Sequence, residues 1–291
     1  MTSVSDSSTL ENRNQRNDSR RLLRQMFSNP ATAFGTGLVI IFLLLAIFGS
    51  LLAPYRANEQ ISGDARQPPS LKHWFGTDNL GRDVFSRVIL GASGVILLAG
   101  AGTLVSVVLG TSIGLITAYQ GKWIDEISMR FFDSLVAIPA ILLALMFLGT
   151  IGPTSFGVLI VLVIVYTPII ARVVRSSVLS VKTLGYVEIA RLQGETQSYI
   201  LFREILPTVV PVLAVEAALR FSYAIFLVAS LGFLGLGVQP PNPDWGLMVK
   251  EARVNVDQTP WAMYFPAGAI ALIVVGVNLT ADGLKKALQQ S

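Results

Sequence analysis

Polar and apolar positions along this chain fall into long blocks. Ala33 to Leu52 runs for 20 residues without a charge, the length that crosses a hydrocarbon core of about 30 Å at 1.5 Å per residue. It is too long and too far from the N-terminus for a simple cleavable leader, so it predicts a first membrane span. Apolar character resumes at Val84 and lasts to about Tyr119, 36 residues, more than one straight crossing uses. The expectation is a short surface helix starting near Asp83, then a true span from Val95 to Ala118. Phe131 to Thr150 and Phe156 to Val173 predict the third and fourth spans. Pro207 to Gly237 predicts a fifth, and its 31 residues place the glycine-rich end, Gly232 to Gly237, at or beyond the interface. Trp261 to Leu279 predicts a sixth.

The polar blocks between them are informative in turn. Residues 1 to 20 hold few large apolar side chains and are expected to be disordered. Arg20 to Phe27 then reads as a short basic amphipathic helix at the membrane surface. Pro54 to Arg87 is a polar loop, and its run Gly76-Thr77-Asp78-Asn79-Leu80-Gly81-Arg82-Asp83 fits neither a calcium loop nor a phosphate loop. A turn followed by a helix start is the favoured reading, with His73 as an exposed loop residue. Pro240 to Pro260 is a further polar loop.

Composition agrees with the block pattern. The chain is 52% hydrophobic and 14% charged, with a mean hydropathy of +0.61, against roughly 25% charged residues in a soluble domain. The absence of cysteine excludes disulfides and thiolate metal sites, and a single histidine argues against a histidine cage. The net charge of +4 bears on topology, not on nucleic acid, because the basic residues sit in loops. With the N-terminus inside, the inner segments carry Arg13, Arg16, Arg20, Arg21, Arg24, Lys122, Arg130, Arg172, Arg175, Lys182, Arg191, Arg203, Lys285 and Lys286. The outer segments carry Arg56, Arg66, Lys72, Arg82, Arg87, Lys250 and Arg253. The bias predicts both termini in the cytoplasm.

That orientation puts one polar stretch, Thr183 to Leu206, in the cytoplasm between two spans. Thr183 to Gly194 reads as a helix stopped by glycine, and Thr196 to Leu206 as a second helix stopped before Pro207. Ala190 and Gly194, four apart, offer a small face, edged by Glu188, Arg191, Glu195, Arg203 and Glu204. An ordinary solvated loop helix is the alternative.

Glu188-Ile189-Ala190, Gly194, and Ile205-Leu206-Pro207 also resemble the EAA loop of ABC importer permeases. Ile189 stands where the second alanine is usual, and Glu204 occupies the family's isoleucine position, one before Ile205. The resemblance extends to Gly76-Thr77-Asp78 with Gly81-Arg82-Asp83, to Met129 through Asp133 with Ile138-Pro139, and to Ser230 through Gly237 with Pro241, Pro243, Trp245 and Gly246. Together these resemble the dipeptide/oligopeptide/nickel branch, its C-type subunit above all.

The resemblance implies an all-α integral membrane protein of six transmembrane helices, with the type I ABC importer permease fold and a cytoplasmic EAA coupling helix pair. The organisation expected is a cytoplasmic tail over 1–33, a first transmembrane helix over 34–53, an extracytoplasmic loop with a surface helix over 54–94, and a permease core over 95–287 containing the coupling loop 174–206. It implies a bacterial inner-membrane protein whose partners are a second homologous permease, two cytoplasmic ATP-binding subunits, an extracytoplasmic solute-binding protein and membrane lipid. The ATPase-coupling residues it implies are Tyr186, Glu188, Ile189, Ala190, Arg191, Gly194, Leu206 and Pro207. The chain has no Gly-x-x-x-x-Gly-Lys-[Ser/Thr] loop, so ATP and Mg are expected on partner subunits, with no catalytic residue, cofactor or metal in this chain.

Glu216 and Arg220 lie four apart inside the fifth block and can share one helix face. Charges there are expensive, about 2.5 to 3.5 kcal/mol each on insertion scales, so both are expected to face protein or a watery path. A structural pair and a pathway pair are both open. If the pair were a proton or ion site, the chain would instead be an ATP-independent secondary transporter or channel. Asp133, three residues after Arg130, reads as an interfacial pair or helix-start carboxylate, and Pro139 as a helix kink. Gly110 and Gly114 form a small-xxx-small pair for close helix packing.

Overall fold

The computed structural model describes residues 29–61 and 63–289; the expected tail and basic helix over residues 1–28 lie outside them. Regular structure among the described residues is helical, apart from one isolated antiparallel bridge between Thr77 and Asp83.

The first helix, α1 (Pro30–Leu52), opens with proline at its first position and is capped by Asn29, whose Oδ1 accepts from Ala31 N–H at 3.0 Å. Most of its apolar surface is exposed, as a lipid-facing helix requires; Thr32, Gly35, Phe42 and Gly49 are its buried contacts. Gly35 lies so close to the last helix that a Cβ there would sit 2.5 Å from Leu279 Cβ.

The second, α2 (Val84–Gln120), is one unbroken helix of 37 residues, about 55 Å long. No break separates the expected surface helix from the expected span, and the reason lies in its first turns. Asp83 caps the helix by accepting from Ser86 N–H at 2.8 Å and from the Ser86 hydroxyl at 2.7 Å. Val84, Ser86, Arg87 and Val88 are buried beneath the preceding loop, so the excess length is enclosed by protein instead of bending along a bilayer.

That loop is held by charge. Asp78 accepts from Arg82 at 2.6 Å and from Arg87 at 2.8 Å, while Glu251 accepts from the same two arginines at 2.7 and 3.4 Å. His73 is not the exposed loop residue expected from its polar surroundings. It is buried, with Nδ1 2.8 Å from Asp83 Oδ1 and Nε2 3.3 Å from Asp64 Oδ2.

The third expected span is bent. α3 (Lys122–Val136) and α4 (Ala140–Ile151) meet at 86° across Ala137 to Pro139, because proline lacks the N–H that would continue α3 and restricts the residue before it. Among the described residues, five helices are therefore long and apolar enough to cross a membrane, making up to six spans if the bent pair counts as one. Asp133 pairs with Arg172 at 2.5 Å, and Arg130 with Glu126 at 2.7 Å, correcting the expected Arg130–Asp133 pair. Asp125 takes Arg175 in a two-point bond of 2.5 and 2.6 Å. The Asp133–Arg172 and Asp125–Arg175 bonds join α3 to α5 (Ser155–Val181).

α2 and α5 form the central packed pair. Gly110 and Gly114 face α5, where a Cβ on Gly114 would lie 2.6 Å from Ala171 O; the small pair serves packing within this chain. After α5 come α6 (Gly185–Leu192), α7 (Leu206–Leu234), α8 (Trp245–Arg253) and α9 (Pro260–Gln289). The loop expected over Pro240 to Pro260 thus contains a helix, α8, capped by Asp244 Oδ1 at 2.7 Å from Leu247 N. Two indoles tie this region to the start of α2 and the loop before it: Trp245 donates to Val88 O and Trp261 to Thr77 O, both at 2.8 Å. Helix order places the loops 53–83 and 235–259 at one end of the bundle and α6 with the α2–α3 turn at the other.

Candidate functional site

The segment from Lys182 to Pro207 is an elbow at that second end. Lys182 Nζ donates to Ala118 O at 2.9 Å, fastening the end of α5 to the end of α2. α6 then runs for eight residues, too short to be stable alone. Its anchor is Val187 and Ala190, both buried, with Ile200, Leu201 and Ile205 buried beside them in the same core. The Arg191 guanidinium lies 5.0 Å from the Tyr119 ring centre, and the Tyr186 hydroxyl is 3.1 Å from Thr208 Oγ1.

Anchoring by Val187 and Ala190 turns the opposite side outward. Ile189 is 56% and Leu192 83% exposed, and Tyr186, Glu188, Arg191 and Gly194 are exposed with them. The small face expected from Ala190 and Gly194 does not form a common outer surface, because Ala190 is spent on this chain's own core. Gly194 has another role: its φ of +78° is a left-handed conformation that ends α6, with Glu195 N–H bonding back to Ala190 O at 3.2 Å. A Cβ there meets nothing within 4 Å, so backbone conformation, not space, selects glycine.

The second helix of the elbow also differs from expectation. Thr196 caps a single turn, Gln197–Tyr199, which passes into a π-turn, Ile200–Ile205, and on into α7 without stopping at Pro207. The Leu206 N–H reaches back five residues to Leu201 O. This wider winding receives a proline whose missing N–H would break an ordinary helix. Ile205 is fully buried, whereas Glu204 and Leu206 on either side of it are half-buried; the isoleucine is part of the core.

Further along α7, Arg220 Nε donates to Glu216 Oε1 at 2.7 Å, with 17% and 13% of the two side chains exposed. The guanidinium sits 5.1 Å from the Tyr223 ring centre. Elbow and pair thus belong to one continuous helical run but are separate in space.

Residues 110–291 match the model for the inner membrane component of binding-protein-dependent transport systems. The chain belongs to that family, the ABC importer permeases. Residues 19–69 match the N-terminal transmembrane domain of oligopeptide transport permease C. The permease is 39% identical over 269 residues to the dipeptide transport system permease protein DppC of Alkalihalophilus pseudofirmus, covering 92% of this chain and 88% of that one. It is 41% identical over 271 residues to the glutathione transport system permease protein GsiD of Pectobacterium atrosepticum, and 42% to that of an Escherichia coli strain, with the same coverages. The permease is therefore a multi-pass membrane subunit of a peptide-family ABC importer, and a transport subunit, not an enzyme.

The ion network of Asp78, Arg82, Arg87 and Glu251 is not legible in the sequence. Asp78 and Arg82 belong to the run Gly76 to Asp83, but Glu251 lies 169 residues from Arg82 and nothing local marks it.

Proposed function

We propose that this permease forms, with a homologous second permease, the translocation path for short peptides or a related small solute. Two cytoplasmic ATP-binding subunits carrying Mg-ATP grip it at α6, and an extracytoplasmic binding protein delivers solute to the end that carries the loops 53–83 and 235–259. Both termini lie in the cytoplasm on this reading, which rests on the bias of Lys and Arg.

The observation that carries the reading is the outward apolar face of α6. A short helix held from one side by Val187 and Ala190 shows Tyr186, Ile189 and Leu192 to its surroundings, edged by Glu188 and Arg191. Such a face at the tip of a charged elbow suits a soluble protein's cleft, where apolar anchors carry most of the binding. Val187 and Ala190 pack in one core with Ile200, Leu201 and Ile205 of the π-turn that continues into α7, so displacement of α6 is passed to the helix that carries Glu216 and Arg220. The dipeptide and glutathione relatives support a peptide cargo.

Reconstitution in liposomes with the three partner types tests the reading. Labelled dialanine is expected to accumulate only with ATP and both ATP-binding subunits present. Accumulation by the permease pair alone, driven by an ion gradient, would instead support a secondary transporter.

A further inference from the structure

We infer that Glu216 and Arg220 form a dipolar subsite for a solute bearing both a free ammonium and a free carboxylate, with the ammonium at Glu216 and the carboxylate at Arg220. The inference rests on the importer reading above and assigns residues and a charge order to its path.

Position comes first. The pair lies 10 and 14 residues into the 29-residue α7, about 15 and 21 Å along a helix of about 43 Å, close to its middle. The single bond between them uses only Nε and Oε1. Among the described residues, both terminal nitrogens of Arg220 and the second oxygen of Glu216 have no protein hydrogen-bond partner. Hydrocarbon cannot satisfy these groups, so this face meets water, a solute or another chain. Tyr223 holds the guanidinium against its ring, leaving the planar nitrogen edge free for a carboxylate. Val212, Tyr223 and Phe226 are exposed along the neighbouring surface of α7.

Charge and spacing then select the occupant. The pair is neutral overall, so an entering cation or anion would leave one unbalanced charge in a low dielectric, whereas a zwitterion leaves none. Residues four apart on a helix stand about 5–6 Å from one another, and a fully extended dipeptide spans at most about 7 Å. The two ends of a dipeptide therefore reach the two side chains together.

The natural chain has no cysteine, which permits a direct test in the assembled complex with its partner subunits. Tyr223→Cys and Val212→Cys reporters are reacted with a water-soluble thiosulfonate, with and without saturating dialanine, binding protein and ATP. Modification of either reporter is expected, slowed severalfold by dialanine during turnover. Protection is expected to weaken about tenfold when Glu216→Gln or Arg220→Gln is added, the loss of one bond to a charged group. A face covered by the second permease would leave both reporters unmodified and overturn the inference. So would modification that dialanine does not slow, or protection that survives both neutral variants. A complex that imports dialanine yet gives these results overturns the subsite alone; one that imports no peptide overturns the importer reading with it.

Discussion

Asp244 shows how far a single residue departs from what its neighbours in sequence suggest. It caps α8 through Oδ1, but Oδ2 is buried with no partner among the described residues. Burial pushes its carboxyl from the ordinary 3.8 up to about 6, opposed in part by the Leu247 N–H. The folded chain thus keeps a proton between about pH 4 and 6 that the unfolded chain has lost. The contribution of this group to stability is full below pH 4 and disappears as pH rises through 6, a change of about 3 kcal/mol. Asp244→Asn keeps a good cap and removes the charge. In detergent, its melting temperature should exceed that of the parent at pH 7.5 and converge with it near pH 4; parallel curves would refute the assignment. His73 carries the same lesson. Its polar neighbours suggested exposure, but Asp64 and Asp83 converge on it only after the loop folds back, which no local pattern encodes.

At the scale of elements, hydrophobic blocks located the five long apolar helices of the described residues, because bilayer thickness and helix rise set their lengths, whereas the block from Phe131 to Thr150 folds as the bent pair of α3 and α4. What the blocks could not encode was where helices continue. α2 was expected to break, yet its first turns are enclosed by a loop stapled to Glu251; the second elbow helix was expected to stop at Pro207, yet a π-turn carries it through. The first depends on Glu251, far along the chain, and the second on a wider winding of the backbone that hydrophobic blocks do not mark. The glycines of α2 were legible as a packing pair, and the structure supplies their partner. Gly114→Leu should drive a side chain into Ala171 and Val174 of α5, costing about 1–3 kcal/mol or preventing folding; fluorescence-detected gel filtration reads the loss of monodisperse protein. Arg175→Ala should release α3 from α5 by leaving Asp125, itself buried, without its two-point partner. Faster proteolysis within α3, with α1 and α9 unaffected, is the expected signature, and an unchanged digestion pattern would count against it.

For the whole molecule, the elbow at one end and the charge-held cap at the other bracket a bundle whose mid-span pair lies between them. The motif residues of the elbow were legible in the sequence, but their division of labour was not. Ala190 anchors, Gly194 turns the chain, and the outward surface falls to Ile189 and Leu192, the former a departure from the family pattern and the latter outside it. The most direct measurement is therefore co-purification of the ATP-binding subunits with this permease carrying Ile189→Glu and Leu192→Glu together. The account predicts that membrane insertion and the paired permease survive while the ATP-binding subunits are lost, with binding weakened at least about a hundredfold. Full retention of those subunits and of ATP-driven uptake in the double variant would contradict it.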